Sequence, residues 1–172
     1  MTKSQIAITI CDPEVYRYAL DFYQASRKLY PSDEDQSTAN AYFVNACLSL
    51  ELFLKSLVAT REWDVHPNPT KYVEEAGERI PIIEAYPPPY KISKNRSHKL
   101  SELFQSLQAD QKKSIQEIYK KPGCLSTDIK QYDRSFVEWR YGYESYTLLK
   151  SNEPLESILY AVKSFCDEAV AT

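Results

Sequence analysis

The segment at residues 37–61 is the feature that most constrains how this chain can fold. Its apolar residues recur at alternating spacings of four and three, the period of one face of an α-helix: Phe43, Cys47, Leu50, Leu54 and Leu57. Leu48 and Leu52 fall on nearly the opposite side of the same helix. A helix that is apolar on two sides lies at the centre of a bundle or is shared between the core and a partner. The pattern favours the central position, with a subunit contact as the alternative.

Other helices are indicated by residues that typically cap or open a helix. Asp12 followed by Pro13 predicts the start of the first helix, Asp110 is predicted to cap a fourth, and Asn152 the last. A third helix is predicted from about residue 98 and a fifth from about residue 127. The chain has 172 residues but only 3 glycines, which is few for the turns of a sandwich or barrel. We therefore predict an all-α bundle of five or six helices.

Residues 62–97 break this helical pattern. Prolines exclude a continuous helix there: Pro67, Pro69, Pro81, Pro87, Pro88 and Pro89. A short helix around residues 72–76, closed by Gly77, is the one regular element that we predict in this stretch. The sequence thus indicates a single domain, residues 1–172, with a proline-rich insertion at 62–97. The end of the insertion carries the basic cluster of the chain, which is either a phosphate site or a solvated connection: Lys91, Lys94, Arg96, His98 and Lys99.

Composition narrows the classes of function. The formal net charge is −3, so a nucleic-acid partner would have to use a local basic patch. No apolar run suits a signal peptide or a membrane span. Two histidines and four scattered cysteines give no zinc spacing, and no nucleotide-binding glycine motif is present. We expect a cytoplasmic protein with reduced thiols, without metal, cofactor or membrane.

Arg140 is the most informative polar residue of the sequence. On an uninterrupted helix it follows Ile129 by eleven residues, close to three turns, and so lies on the apolar face. A guanidinium that faces inward needs a carboxylate or several carbonyl oxygens, because an unpaired buried charge is costly. Glu144 and Glu51 are the candidate partners. Arg140 then forms either a structural ion pair or an anion site with neighbouring tyrosines, Tyr141 and Tyr143.

Three motifs, AYFVNACLSLELFLKSLV, SHKLSELFQSL and FVEWRYGYE, are followed by a closing amphipathic helix. In their order and spacing they resemble a bacterial HEPN-domain protein. The resemblance covers the chain from the second helix to the C-terminus, without the proline-rich insertion. It implies an up-and-down helical bundle that usually forms a homodimer. It also implies RNA cleavage or RNA binding within defence or toxin–antitoxin systems.

The resemblance also implies where a catalytic group would lie. Active members of the family have an Arg followed by a His, with four to six residues between the two. Arg140 matches the Arg, but the positions of the His hold Ser145, Tyr146 and Thr147. Without that imidazole the usual proton carrier at neutral pH is missing. Tyr146, Glu144 or His98 would have to replace it.

These observations leave three hypotheses for function. The leading one is a non-catalytic or weakly catalytic module that binds RNA, a nucleotide or a partner protein. The enzymatic alternative is a metal-independent endoribonuclease that uses Arg140 with Glu144 or Tyr146 at a dimer interface. The third is a purely structural helical interaction subunit. The residues that would contact RNA or phosphate are Arg140, Tyr141, Tyr143, His98, Lys99 and Arg96.

Overall fold

The computed structural model describes residues 4–8, 11–32, 37–64, 71–75, 77–82, 97–121, 123–134 and 152–171. The chain divides into two compact units. The helical unit comprises Ile10–Val58 and Asn95–Thr172, and the sheet unit comprises Met1–Thr9 and Ala59–Lys94. The predicted insertion at 62–97 falls mostly within the sheet unit. The single domain over residues 1–172 stays a prediction.

The helical unit contains six helices among its described residues, which confirms the predicted all-α class. In chain order they are α1 Pro13–Lys28, α2 Ala39–Val58, α3 Leu100–Gln105, α4 Ala109–Tyr119, α5 Leu125–Lys130 and α6 Asn152–Ala171. The sheet unit adds four short strands that the sequence patterns did not predict: β1 Ser4–Ile8, β2 Thr60–Asp64, β3 Lys71–Glu75 and β4 Glu78–Ile82.

The start of α1 confirms the capping prediction. The Asp12 side chain accepts hydrogen bonds from the backbone N–H groups of Glu14 and Val15, at 3.0 and 3.1 Å, and Pro13 opens the helix. The backbone N–H of Asp12 in turn donates to the carbonyl of Ser56 at 2.8 Å. The cap therefore also fixes the start of α1 against the end of α2.

Helix α2 occupies the centre of the helical unit, as predicted. α1 runs antiparallel to it, since Asp12 contacts Ser56 while Ser49 Oγ donates to the carbonyl of Ala19 at 2.9 Å. α6 runs parallel to α2, since Tyr42 contacts Glu156 near the two N-terminal ends. All five residues of the predicted main stripe are buried: Phe43, Cys47, Leu50, Leu54 and Leu57. Burying each large apolar side chain contributes about 1.5–3 kcal/mol, so α2 is a principal source of stability.

The shorter helices close the core around α2 and α6. α3 packs against α2 and α5, while α4 and α5 pack against α6. The predicted cap of α4 is wrong by two residues. Gln108 is the N-cap and exchanges hydrogen bonds with Gln111 in a capping box, which places Asp110 in the first turn. The reciprocal pair satisfies two helix-end donors.

The structure contradicts two predictions for the region from the end of α2 to β4. The short helix around residues 72–76 is wrong, because β3 and β4 form an antiparallel hairpin there, with Gly77 at φ +82° in its turn. Pro81 is tolerated opposite Tyr72 because each strand of a two-stranded sheet has an edge on which no donor is needed. The second helix ends at Val58 rather than near residue 61, and the chain continues as β2, antiparallel to β1.

The helix predicted from about residue 127 is short. α5 ends at Lys130, and residues 131–134 form turns with hydrogen bonds from Tyr132 and Asp133 to carbonyls three residues back, at 3.0 and 3.3 Å. The prediction of an uninterrupted helix from Ile129 to Arg140 is therefore wrong at residues 131–134. The inference that Arg140 lies on the apolar face depended on that uninterrupted helix, so it is no longer supported.

Candidate functional site around Glu51

Glu51 is a buried carboxylate on α2, inside the first of the three motifs. Its side chain is 7% exposed, and Oε1 accepts a hydrogen bond from Lys55 Nζ at 2.6 Å. The same oxygen lies 3.0 Å from Nδ1 of His98. A buried carboxylate is costly unless charged or polar donors compensate it. Lys55 and His98 provide that compensation. We refer to Glu51, Lys55 and His98 as the Glu51 centre.

The two donors of the Glu51 centre reach water to different extents. The His98 side chain is 72% exposed, whereas that of Lys55 is 22% exposed. Lys55 lies one turn after Glu51 on the same helix, the spacing at which opposite charges pair. When Nδ1–H of His98 donates to the carboxylate, Nε2 is the ring nitrogen that can accept a proton or a hydrogen bond. Glu51 thus orients an imidazole that solvent and a ligand can reach.

The residues next to His98 form a second polar group at the start of α3. Lys99 Nζ donates to Glu102 Oε1 at 2.8 Å, and Ser97 Oγ donates to Glu102 Oε2 at 2.7 Å. The hydrogen bond with Glu102 raises the pKa of Lys99, and the same bond lowers the pKa of Glu102. Both side chains are exposed, so these contacts set the conformation of the segment more than its stability.

Asp133, just after α5, binds to the start of α3. Its carboxylate accepts from the backbone N–H of Ser101 at 2.7 Å and from the Ser101 hydroxyl at 2.5 Å. It therefore caps α3 from 32 residues away. Asp133 lies just before the third motif in the sequence. The first motif, the second motif and the approach to the third meet around the N-terminus of α3.

The structure describes only some of the predicted site residues. Glu51 and His98 come together, and Lys99 follows His98. Outside the described residues lie Arg96, Arg140, Tyr141, Tyr143, Glu144 and Tyr146. The ion pair between Glu51 and Arg140 therefore stays a prediction. Sequence reasoning missed Lys55, which its spacing of four from Glu51 could have indicated. It also missed Asp133, which carries no local signal because its partner is distant in sequence.

A second polar cluster, the α1–α6 seam, was also missed. Glu156 on α6 accepts through Oε1 from Arg27 on α1 and from the Tyr42 hydroxyl on α2. The Arg27 guanidinium carbon lies 5.2–5.9 Å from the ring centres of three tyrosines, Tyr23, Tyr30 and Tyr42. Two further contacts extend the seam. Tyr16 Oη donates to Asp167 Oδ1 at 2.7 Å, and Lys163 Nζ donates to Asp167 Oδ2 at 2.6 Å.

Burial and contacts within the seam change the pKa values of Tyr42 and Arg27. Burial, followed by the hydrogen bond to Glu156, raises the pKa of Tyr42 well above its ordinary value. Burial alone would lower the pKa of Arg27, but the hydrogen bond and charge of Glu156 outweigh it and raise that pKa. The seam therefore holds neutral tyrosine and charged arginine together.

Metal ligation and membrane insertion are two further properties of the described residues. No group of three or more His, Cys, Asp or Glu side chains there is placed to hold a metal ion. The prediction that no apolar run suits a membrane span is wrong on length and composition, because α2 is long and apolar enough to cross a membrane. Most of its apolar window is nevertheless buried inside the structure. A central core helix has the same properties, so this observation is weak evidence for a membrane span.

Comparison with known protein families, characterised proteins and solved structures finds no match to this chain.

Proposed function

We propose that this protein is a HEPN-like module that binds single-stranded RNA at the Glu51 centre, without robust catalysis. The observation that carries the proposal is the buried Glu51 carboxylate, which holds Lys55 and the exposed His98 side by side. These residues belong to two of the motifs on which the HEPN resemblance rests. A defence or toxin–antitoxin setting is part of the same proposal.

Charge supports an anionic ligand at this position. Lys55 and His98 are the donors of the centre, and Lys99 is exposed beside them. Three further basic residues precede His98 in the sequence, Lys91, Lys94 and Arg96. Three carboxylates, Glu51, Glu102 and Asp133, offset the charge of the described lysines. A run of basic residues in the sequence can bind phosphates even though the whole chain carries a net charge of −3.

The proposal is tested by RNA binding in the presence of a chelator. Fluorescence anisotropy with a labelled single-stranded RNA should show binding that weakens as salt is raised. Each lost phosphate contact should flatten the logarithmic salt dependence by about 0.7. Lys99→Ala should weaken binding, while Lys113→Ala should not. Lys113 is a matched control because it is also an exposed lysine near a glutamate, 4.0 Å from Glu117 on α4.

Weak catalysis is the second candidate, and the orientation of His98 by Glu51 favours it. An imidazole held by a carboxylate can serve as a general base toward a ribose 2′-hydroxyl. We expect no robust cleavage, because the motif histidine after Arg140 is absent. Metal-free cleavage that His98→Gln abolishes, and that a 2′-deoxy substitution at the cut position blocks, would establish the enzymatic alternative instead.

Self-association is a separate part of the proposal. Tyr30 and Tyr160 are large exposed side chains within one turn of the Arg27–Glu156 pair, at 48% and 65% exposure. Tyrosine is enriched at protein interfaces, and two-fold dimers are the commonest soluble oligomers. Sedimentation should therefore give a homodimer, and Tyr160→Ser should shift it toward monomer. A wild-type monomer at high micromolar concentration rejects the dimer. If RNA binding also fails, the structural interaction subunit is the hypothesis that stands.

A further inference from the structure

Two buried thiols that are far apart in sequence meet at one hydroxyl group in the helical unit. Cys11 lies just before α1, and Cys166 lies in the last turns of α6. Cys11 Sγ donates to Ser56 Oγ at 3.2 Å, and the same hydroxyl lies 3.9 Å from Cys166 Sγ. Ser56 Oγ donates to the Phe53 carbonyl at 2.7 Å. The residue before the α1 cap and the helices α2 and α6 therefore bring both sulfur atoms next to one hydroxyl group.

The two thiols are chemically unequal. The hydrogen bond with Cys166, helped by Ser56, lowers the pKa of Cys11 in spite of burial. Burial raises the pKa of Cys166 well above its ordinary value. In a thiol pair of this kind the more acidic sulfur attacks first, and the less acidic one completes the reaction. Cys47 is also buried, but on a different turn of α2, and Cys124 is exposed.

We propose that Cys11 and Cys166 are a redox-active pair that closes to a disulfide by exchange with a small-molecule disulfide such as oxidised glutathione. Because Cys11 is only 4% exposed, the exchange requires local opening around this residue. The Cys11 thiolate then attacks one sulfur of the small disulfide, which forms a mixed disulfide and releases one thiolate. The Cys166 thiol then loses its proton, and its sulfur attacks Cys11 and expels the second small thiol. Two electrons pass from the protein to the small disulfide, which is reduced to two thiols.

Closure has a definite structural consequence. The Ser56 hydroxyl has to turn away from the two sulfurs, because they must approach to about 2.0 Å. The bond links the residue before α1 to the end of α6 and so encloses nearly the whole chain. A cross-link over so long a loop restricts the unfolded state strongly. We therefore expect the oxidised protein to unfold at a higher temperature than the reduced protein.

The test uses the full-length, folded protein with oxidised glutathione. Cys124→Ser removes the exposed thiol, so that its side reactions do not obscure the result. Non-reducing peptide mass spectrometry should then show a linked Cys11–Cys166 peptide, with Cys47 still a thiol. Cys47→Ser should leave the link unchanged, whereas Cys11→Ser should abolish it. The link should disappear on reduction, together with the rise in unfolding temperature.

Two results overturn the proposal. One is a folded protein in which Cys11 and Cys166 both stay reduced after Cys124 in the wild type has reacted completely. The other is a link that forms only in denaturant, which would make both thiols inert buried side chains in the native state.

Discussion

Glu51 and Glu156 satisfy the same chemical requirement in different surroundings. Each is a carboxylate whose Oε1 accepts from two donors, and each draws at least one donor from another element. The donors to Glu156 are Arg27 and Tyr42, and the Tyr42 side chain is fully buried. The donors to Glu51 are Lys55 and His98, and most of the His98 side chain is exposed.

This difference separates a structural contact from a candidate functional one. Bonds between Glu156 and its donors join α1, α2 and α6, and their loss leaves the buried Tyr42 hydroxyl without its acceptor. The bonds of Glu51 hold side chains whose polar atoms water can satisfy if the carboxylate is removed. Arg27, at 35% exposure, is more exposed than Lys55, at 22%, so the contrast rests on the other two donors. Tyr42 is fully buried, whereas His98 is 72% exposed, and the exposed imidazole makes the Glu51 centre available to a ligand. The predictions for Tyr42, for the two carboxylates and for His98 test the distinction.

The largest effect is expected at Tyr42. Tyr42→Ala should lower the free energy of unfolding by about 3–5 kcal/mol, because it removes a fully buried ring and a hydrogen bond in the seam. Urea denaturation measures the loss. Tyr30→Ala is the matched control, since the Tyr30 ring packs edge-on against Tyr42 but is half exposed. A loss below about 1 kcal/mol for Tyr42→Ala would show that the seam is not structural.

The second prediction compares the two carboxylates directly. Glu156→Leu should cost about 1–3 kcal/mol, because the buried Tyr42 hydroxyl loses its acceptor. Glu51→Leu should change stability by less than about 1 kcal/mol, because Lys55 and His98 can be hydrated and a buried leucine is favourable. Equal losses in urea denaturation would remove the distinction between the clusters.

The third prediction concerns alkaline pH. Burial raises the pKa of Tyr132 to about 12, and burial with Glu156 raises that of Tyr42 further. Because the folded pKa exceeds the unfolded value of 10.0, this stabilisation is complete below pH 10 and is lost as the pH rises toward 12. Unfolding measured at increasing pH should therefore show falling stability above pH 10.

Tyr132→Phe provides the control for that measurement. The variant should lose part of the alkaline dependence, because it has no hydroxyl to ionise. An unchanged pH profile would mean that Tyr132 ionises as easily in the folded chain as in the unfolded one. His98→Ala should retain the full alkaline dependence, since the Glu51 centre contains no tyrosine.

The smallest effect on stability is expected at His98. His98→Ala should change the free energy of unfolding by no more than about 0.5 kcal/mol, because the side chain is largely exposed and Lys55 still donates to the Glu51 carboxylate. The same variant should weaken RNA binding. Loss of binding with unchanged stability places His98 in the functional class. A large loss of stability would place it with Tyr42.

Local sequence determined the elements that depend on neighbouring residues. The spacing of apolar residues identified α2 and its buried stripe, because a helix repeats every 3.6 residues whatever surrounds it. Asp12 and Pro13 identified the start of α1 for the same reason, since a cap acts on N–H groups two or three residues away. The strands β3 and β4 were missed because five-residue strands carry little periodic signal.

Tertiary structure decided which polar residues meet. The sequence nominated Glu51 as a partner of Arg140, but the described contacts of Glu51 are with Lys55 and with His98, 47 residues away. Arg27 and Glu156 are separated by 129 residues, and no local pattern relates them. Asp133 lies beyond the end of α5 and caps α3. The helix from Ile129 is therefore interrupted, and its period cannot place Arg140 on the apolar face. Periodicity places a side chain on a face of its helix, whereas its partner depends on how the other helices pack against that face.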